Sequence, residues 1–99
     1  MGTRVRRETL YRMDIIGGMM KNKQLQIINH YGFEAQKAKL KEEMTELAYA
    51  PNEENFIEEI ADVLNVPQGI IYFRGWEQQV LQIQEAKLDR QLKRIEEGK

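Results

Sequence analysis

Two pairs of acidic residues stand at helical spacing in this chain. Glu43 and Glu46 lie in the run Glu42-Glu43-Met44-Thr45-Glu46, and Glu59 and Asp62 in the run Glu59-Ile60-Ala61-Asp62. Side chains at i and i+3 sit beside one another on a helix surface. Two such pairs on adjacent antiparallel helices can converge on one point. Ligand sets made only of carboxylate oxygens select hard cations, so the pattern predicts a site for Mg²⁺, with Mn²⁺ as a substitute.

Glutamate-rich helices are common, and a run of acids is usually a solvated face. The neighbours of these acids argue against that plainer reading. Gln36, Leu40, Glu43 and Leu47 follow one helical stripe, and Phe56, Glu59, Val63 and Val66 follow the equivalent stripe further on. Glu43 and Glu59 are therefore predicted to lie within apolar seams. An unpaired buried carboxylate costs several kcal/mol or takes up a proton, unless a metal or a catalytic role compensates.

The net charge of −1 hides a strong segregation. Residues 1–24 hold six basic and two acidic side chains, whereas Glu42 to Phe73 hold eight acidic ones and no Lys or Arg. Basic residues gather again at Lys87, Arg90, Lys93 and Arg94. An acidic block facing a basic block suits a polyanion bound together with metal ions. Val80, Ile83, Lys87, Arg90 and Arg94 share one stripe that starts apolar and turns basic. That stripe can bring phosphate-binding cations over the acidic site. Cations that merely favour a helix C-terminus are the alternative, most of all for Arg90.

The elements that must position these residues are helices. The sequence has two prolines and no sustained strand alternation. Four helices are predicted, over about residues 21–29, 34–50, 52–74 and 76–96. Gly32 and Pro51 end the first two, Asn52 caps the third, and a kink or break is expected at Pro67. Short connections imply antiparallel neighbours and an all-α four-helix bundle. The third helix is apolar around more than half its circumference, from Phe56 and Ile57 to Tyr72 and Phe73. Such a helix must be covered on two sides, so a second copy of the chain is expected to complete the bundle.

Ninety-nine residues make one domain. The absence of cysteine excludes disulfides and Cys-based zinc sites. No apolar run is long enough for a membrane span or a signal peptide, so a cytoplasmic protein is the expectation. Residues 1–19 break the helical pattern and read as a flexible extension of a domain at 20–99. Met19-Met20, standing before a well-formed helix, also fits a translation start there. A nucleic-acid-binding arm is not expected, because the basic run lacks interleaved aromatics.

Tyr31-Gly32-Phe33, Gln36, Leu40, Glu42-Glu43-x-x-Glu46-Leu47, Glu58-Glu59-Ile60-Ala61-Asp62-Val63-Leu64 and Lys87 together resemble the MazG-like nucleotide pyrophosphohydrolases, of a phage or Firmicute type. The likeness spans about residues 21–97, with a spacer of twelve residues between Glu46 and Glu59, at the short end for that pattern. It implies a MazG-like all-α bundle and Mg²⁺-dependent hydrolysis of a nucleoside triphosphate to the monophosphate and pyrophosphate. It also implies a homodimer or homotetramer. On that match Glu43, Glu46, Glu59 and Asp62 are metal ligands. Glu42, beside them, and Glu43 serve as catalytic carboxylates. Lys87, Arg90 and Arg94 contact phosphate. His30, Tyr31, Phe33 and Gln36 form the wall for the base, by stacking and by an amide edge.

Three rivals remain at this point. One is a non-catalytic helical interaction module whose acids are surface charge. Another is phosphoribosyl-ATP pyrophosphohydrolysis, the same chemistry on a different substrate. A di-iron carboxylate bundle fits poorly, because it wants Glu-x-x-His pairs and His30 does not stand at that spacing.

Overall fold

The computed structural model describes residues 18–98, and all regular structure among them is helical. Helix α1 occupies 18–31, α2 Phe33–Ala48, α3 Glu53–Arg74 and α4 Glu77–Glu96. Residues 18 and 19, read from sequence as part of the extension, belong to α1. The rest of that extension, with the arginines at 4, 6, 7 and 12, lies outside the described residues. No helix among the described residues is long and apolar enough to cross a membrane.

The boundaries follow from local chemistry. Gly32 adopts φ 95°, which a side chain would resist, and there the chain turns from α1 into α2. Its N–H donates to the Ile28 carbonyl at 2.8 Å, while its own carbonyl accepts from Gln36 at 3.1 Å. One glycine thus closes one helix and opens the next. At the head of α3 the Asn52 side chain accepts from the Asn55 N–H at 2.9 Å, with Glu53 and Glu54 in the first turn. At its tail Gly75 is left-handed at φ 69°. The Gly75 N–H donates to Tyr72 and the Trp76 N–H to Ile71, the paired bonds of a Schellman stop.

Pro67 stands inside α3, which runs on to Arg74, so of the kink or break expected there no break occurs. A proline in a helix interior removes one backbone hydrogen bond and costs about 3 kcal/mol. Val66 and Gly69 on either side of it are buried, and their packing offsets that cost.

Helix α3 packs extensively against α2 and only sparsely against α4. Helix α1 joins α3 through side-chain amides and through a close backbone approach. A Cβ placed on Gly69 would meet the Gln24 carbonyl oxygen at 3.4 Å. Lys21 of α1 reaches Glu77 at the start of α4 at 3.5 Å and lies over the Tyr72 ring.

Burial is thin and unusually polar. Among the described residues Ile28 and Val66 are the buried apolar side chains, and Gln24, Gln36 and Glu43 the buried polar ones. Buried polar groups are costly unless partnered, so their concentration between α1, α2 and α3 marks that region as more than a core. No residue of α4 is buried. Leu81, Leu88, Leu92 and Ile95 are each more than half exposed, as is Ile57 of α3. Within one chain, then, α4 is not packed into the bundle read from sequence. Its apolar stripe finds no cover on α3.

Candidate functional site

Glu43 sits on the buried face of α2, with Gln36 buried one side of it and Leu40 and Leu47 half-buried along the same stripe. Glu46 lies one turn on and is exposed, and Glu59 reaches in from α3, half-buried. One carboxylate oxygen from each of these three side chains lies within 4.8 Å of the other two. The i, i+3 spacing on α2 and the packing of α3 against it produce this convergence.

The bonding around the cluster is incomplete. Lys39, one turn before Glu43, holds Glu43 Oε1 at 3.0 Å and reaches Glu42 at 3.8 Å. Glu43 Oε2 and Glu59 Oε2 are buried without any hydrogen-bond partner. A buried carboxylate oxygen with no donor is unusual and costly, and a cation is one kind of group that could satisfy it. One lysine cannot offset three converging carboxylates.

Electrostatics record the same imbalance. The charge of Glu43 pushes the Glu46 carboxyl above the ordinary carboxylate range, and burial, a hydrogen bond with Glu43 and the charge of Glu59 add to it. Lys39 is pushed up by its hydrogen bond to Glu43 and then by the charges of Glu42 and Glu43. A carboxyl held high in the fold favours its protonated form. Its stabilising share is present below the ordinary carboxylate range and is lost as the pH rises through the raised value. In chelator at neutral pH, Glu46→Gln is expected to melt above the wild type, and the gap should close as the pH falls through that range. Thermal melts at neutral and acidic pH decide it, and a wild type that melts higher at neutral pH would overturn the expectation.

Beside the carboxylates lies a cleft of about 410 Å³ between α1, α2 and α3. Glu43, Lys39 and Asp62 line its charged end. Gln24, Gln36 and Asn65 line it with amides, and Ile27, Tyr31 and Val66 supply apolar wall. Asp62 is exposed and stands in this wall, not among the three converging carboxylates. Tyr31 and Gln36, read from sequence as base contacts, line the cleft. His30 is not part of its lining but packs edge-on against Tyr31, with ring centres 4.7 Å apart. Phe33 is also absent from the lining, and its ring lies under the Arg74 guanidinium at 4.3 Å and the Lys37 ammonium at 5.6 Å.

Lys87, Arg90 and Arg94 are exposed on α4. Among the described residues no ion pair joins them to the carboxylates of α2 or α3. Glu42 is exposed, with Lys39 as its partner. Sequence reasoning missed Lys39, although its place four residues before Glu43 was a usable signal. It also missed Gln24 and Asn65. Asn65 continues the Asp62 face by three residues, but nothing local marks Gln24.

Compared with known proteins, the chain matches no family model, no curated protein and no solved structure.

Proposed function

We propose that this chain is a metal-dependent nucleoside triphosphate pyrophosphohydrolase of the MazG-like kind, holding Mg²⁺ or Mn²⁺ on Glu43, Glu46 and Glu59 with Asp62 close by. The observation that carries this reading is the pair of orphaned oxygens, Glu43 Oε2 and Glu59 Oε2, inside a cluster of three converging carboxylates. A surface charge run would be solvated, and its oxygens would not be left buried and bare.

A divalent cation bound there supplies neutralising charge to phosphate oxygens and makes a bound water more acidic. The protein supplies the rest. The cleft beside the carboxylates orients the nucleoside, so that the α-phosphate meets the acidic cluster. A water oxygen bonds to the α-phosphorus, the bond from that phosphorus to the bridging oxygen breaks, and pyrophosphate departs with that oxygen. Glu42, exposed beside the cluster, or an unligated carboxylate such as Asp62 in the cleft wall, takes the water proton.

The active form in this proposal is a homodimer, or a homotetramer built from it. Two apolar faces of the one chain lack cover, Phe56, Ile57, Ile60 and Leu64 on α3 and Leu81, Leu88, Leu92 and Ile95 on α4. The first borders acids and the second borders Lys87, Arg90 and Arg94, so a second copy complements both charge and shape. Seated on its partner, α4 would bring those cations to the triphosphate.

Pyrophosphate release from a panel of nucleoside triphosphates, with Mg²⁺ and with chelator, tests the activity. Release with Mg²⁺ alone is expected. A helical interaction module, which the exposed α4 face would also suit, gives no release and no thermal stabilisation by Mg²⁺.

A further inference from the structure

The amides lining the cleft are not equivalent, and their inequality selects a ligand. Gln24 is 5% exposed, and its NH₂ donates to Asn65 Oδ1 at 3.1 Å and to Gln68 Oε1 at 2.8 Å. Both hydrogens of that NH₂ are thereby committed. The close backbone approach at Gly69 keeps α1 and α3 in register and so keeps Gln24 in place. Asn65 consequently has its oxygen turned to Gln24, and what it has left to offer a ligand is its NH₂, a donor. Gln36 stands in the same cleft, 8% exposed, with no side-chain hydrogen bond to any described residue. Gln24 Oε1, buried in the same cleft with no hydrogen-bond partner, and the Gln36 carboxamide beside it point to a ligand that completes them.

We propose that the cleft beside the carboxylates reads a nucleobase bearing a ring carbonyl next to a ring N–H, with Asn65 donating to the carbonyl, Gln36 accepting from the N–H, and Gln24 fixing the sense of Asn65. This rests on the nucleotide reading of the neighbouring carboxylates and names the base class that reading leaves open. Uracil and thymine present a carbonyl at position 4 and guanine one at position 6, whereas cytosine and adenine present an NH₂ at those places. A donor fixed at Asn65 meets the first group favourably and sets donor against donor in the second. Gln36 has no side-chain hydrogen-bond partner among the described residues, so its amide can turn its oxygen to the ring N–H. The cleft, near the small end of the size range of about 300–1,000 Å³ for ligand sites, suits one nucleoside. Ile27, Tyr31 and Val66 cover its faces. Asn65 reads the base, while Gln24 is a positioning residue that acts through it.

Binding can be separated from turnover with triphosphates whose α,β-bridging oxygen is replaced by an imido group. Calorimetry on the full chain with Mg²⁺ compares the uridine analogue with the cytidine one, and the guanosine analogue with the adenosine one. The carbonyl member of at least one pair is expected to bind about 10-fold to 100-fold more tightly, the range of one well-made base-edge contact. Asn65→Asp places only acceptors at that position and should invert the preference. Its added negative charge weakens every triphosphate alike, so the ratio stays readable. Gln24→Leu frees Asn65 to turn over and should bring the ratio toward one while binding persists. Melting temperatures measured alongside identify a variant that has lost its fold, and the wild-type ratio and Asn65→Asp then decide. Nucleotides that bind without base preference, or a ratio unmoved by Asn65→Asp, would overturn this proposal and leave the pyrophosphohydrolase reading intact. Failure of all analogues to bind with Mg²⁺ would overturn both.

Discussion

Glu59→Ala is expected to abolish pyrophosphate release and the thermal shift caused by Mg²⁺, while the helical fold persists. Glu59 is half-buried, its Oε2 has no partner, and its other neighbours in the cluster are the like charges Glu43 and Glu46. Removing it takes away one of the charges that, after Glu43, hold the Glu46 carboxyl high. The variant in chelator should therefore melt at or above the wild-type temperature. In the wild type, Mg²⁺ at about 100 times its dissociation constant should add about 2.7 kcal/mol of stability, and the variant should show little of that. Glu43→Ala should lose activity too, but with a different signature. It frees Lys39 from its 3.0 Å bond and empties a buried position, so its stability in chelator should fall. Glu42→Ala should cost less in metal binding than either, because Glu42 is exposed and outside the converging set. Thermal melts with and without MgCl₂, read beside steady-state pyrophosphate release, separate the three variants. A folded Glu59→Ala protein that turns over at the wild-type rate would remove the cluster from the mechanism.

Local rules made much of this legible before any coordinates. Asn52 and Gly32 bound the helices for reasons confined to a few residues, namely a cap bond and a positive φ angle. The stripe through Gln36, Leu40, Glu43 and Leu47 follows from helical periodicity alone, and it is the face that α2 turns inward. The Glu43 and Glu46 pair was legible for the same reason, since i, i+3 spacing is local, whereas of the second pair Glu59 joins them and Asp62 stands in the cleft wall. Long-range choices were not. Gln24 meets Asn65 and Gln68 across separations of 41 and 44 residues, and no local pattern reports such a pairing. Pro67 predicts a kink or break from backbone chemistry, and the helix continues through it with Val66 and Gly69 buried beside it. The hardest case is α4. Periodicity shows that Leu81, Leu88, Leu92 and Ile95 form a face to be covered, yet it is silent on which chain covers it. An antiparallel return onto its own α3 was the simplest expectation, and the lack of any buried residue on α4 departs from it.

That departure sets the second large effect, at Lys87. The side chain is exposed and makes no ion pair with the described residues, so Lys87→Met should leave the melting temperature and Mg²⁺ binding nearly unchanged. Pyrophosphate release should fall by about 10²-fold or more, the order seen when one charge-stabilising donor is taken from an active site. If charge builds up on the departing pyrophosphate, the loss appears in kcat as well as KM. Delivery of Lys87 by a partner copy adds a sharper expectation. A dimer that mixes one Lys87→Met chain with one Glu59→Ala chain carries one site with both residues intact, its carboxylates from the first chain and its lysine from the second. Subunit exchange between the two inactive variants, mixed in equal amounts, should then restore about a quarter of wild-type activity, from the statistics of random pairing in a two-fold dimer. Delivery within one chain predicts no recovery, because each site of the mixed dimer would then lack one residue. Sedimentation at micromolar concentration accompanies the assay. A stable monomer, or a mixture no more active than its parents despite exchange, would end the two-chain site, and an unchanged Lys87→Met rate would return Lys87 to the role of a helix-end cation.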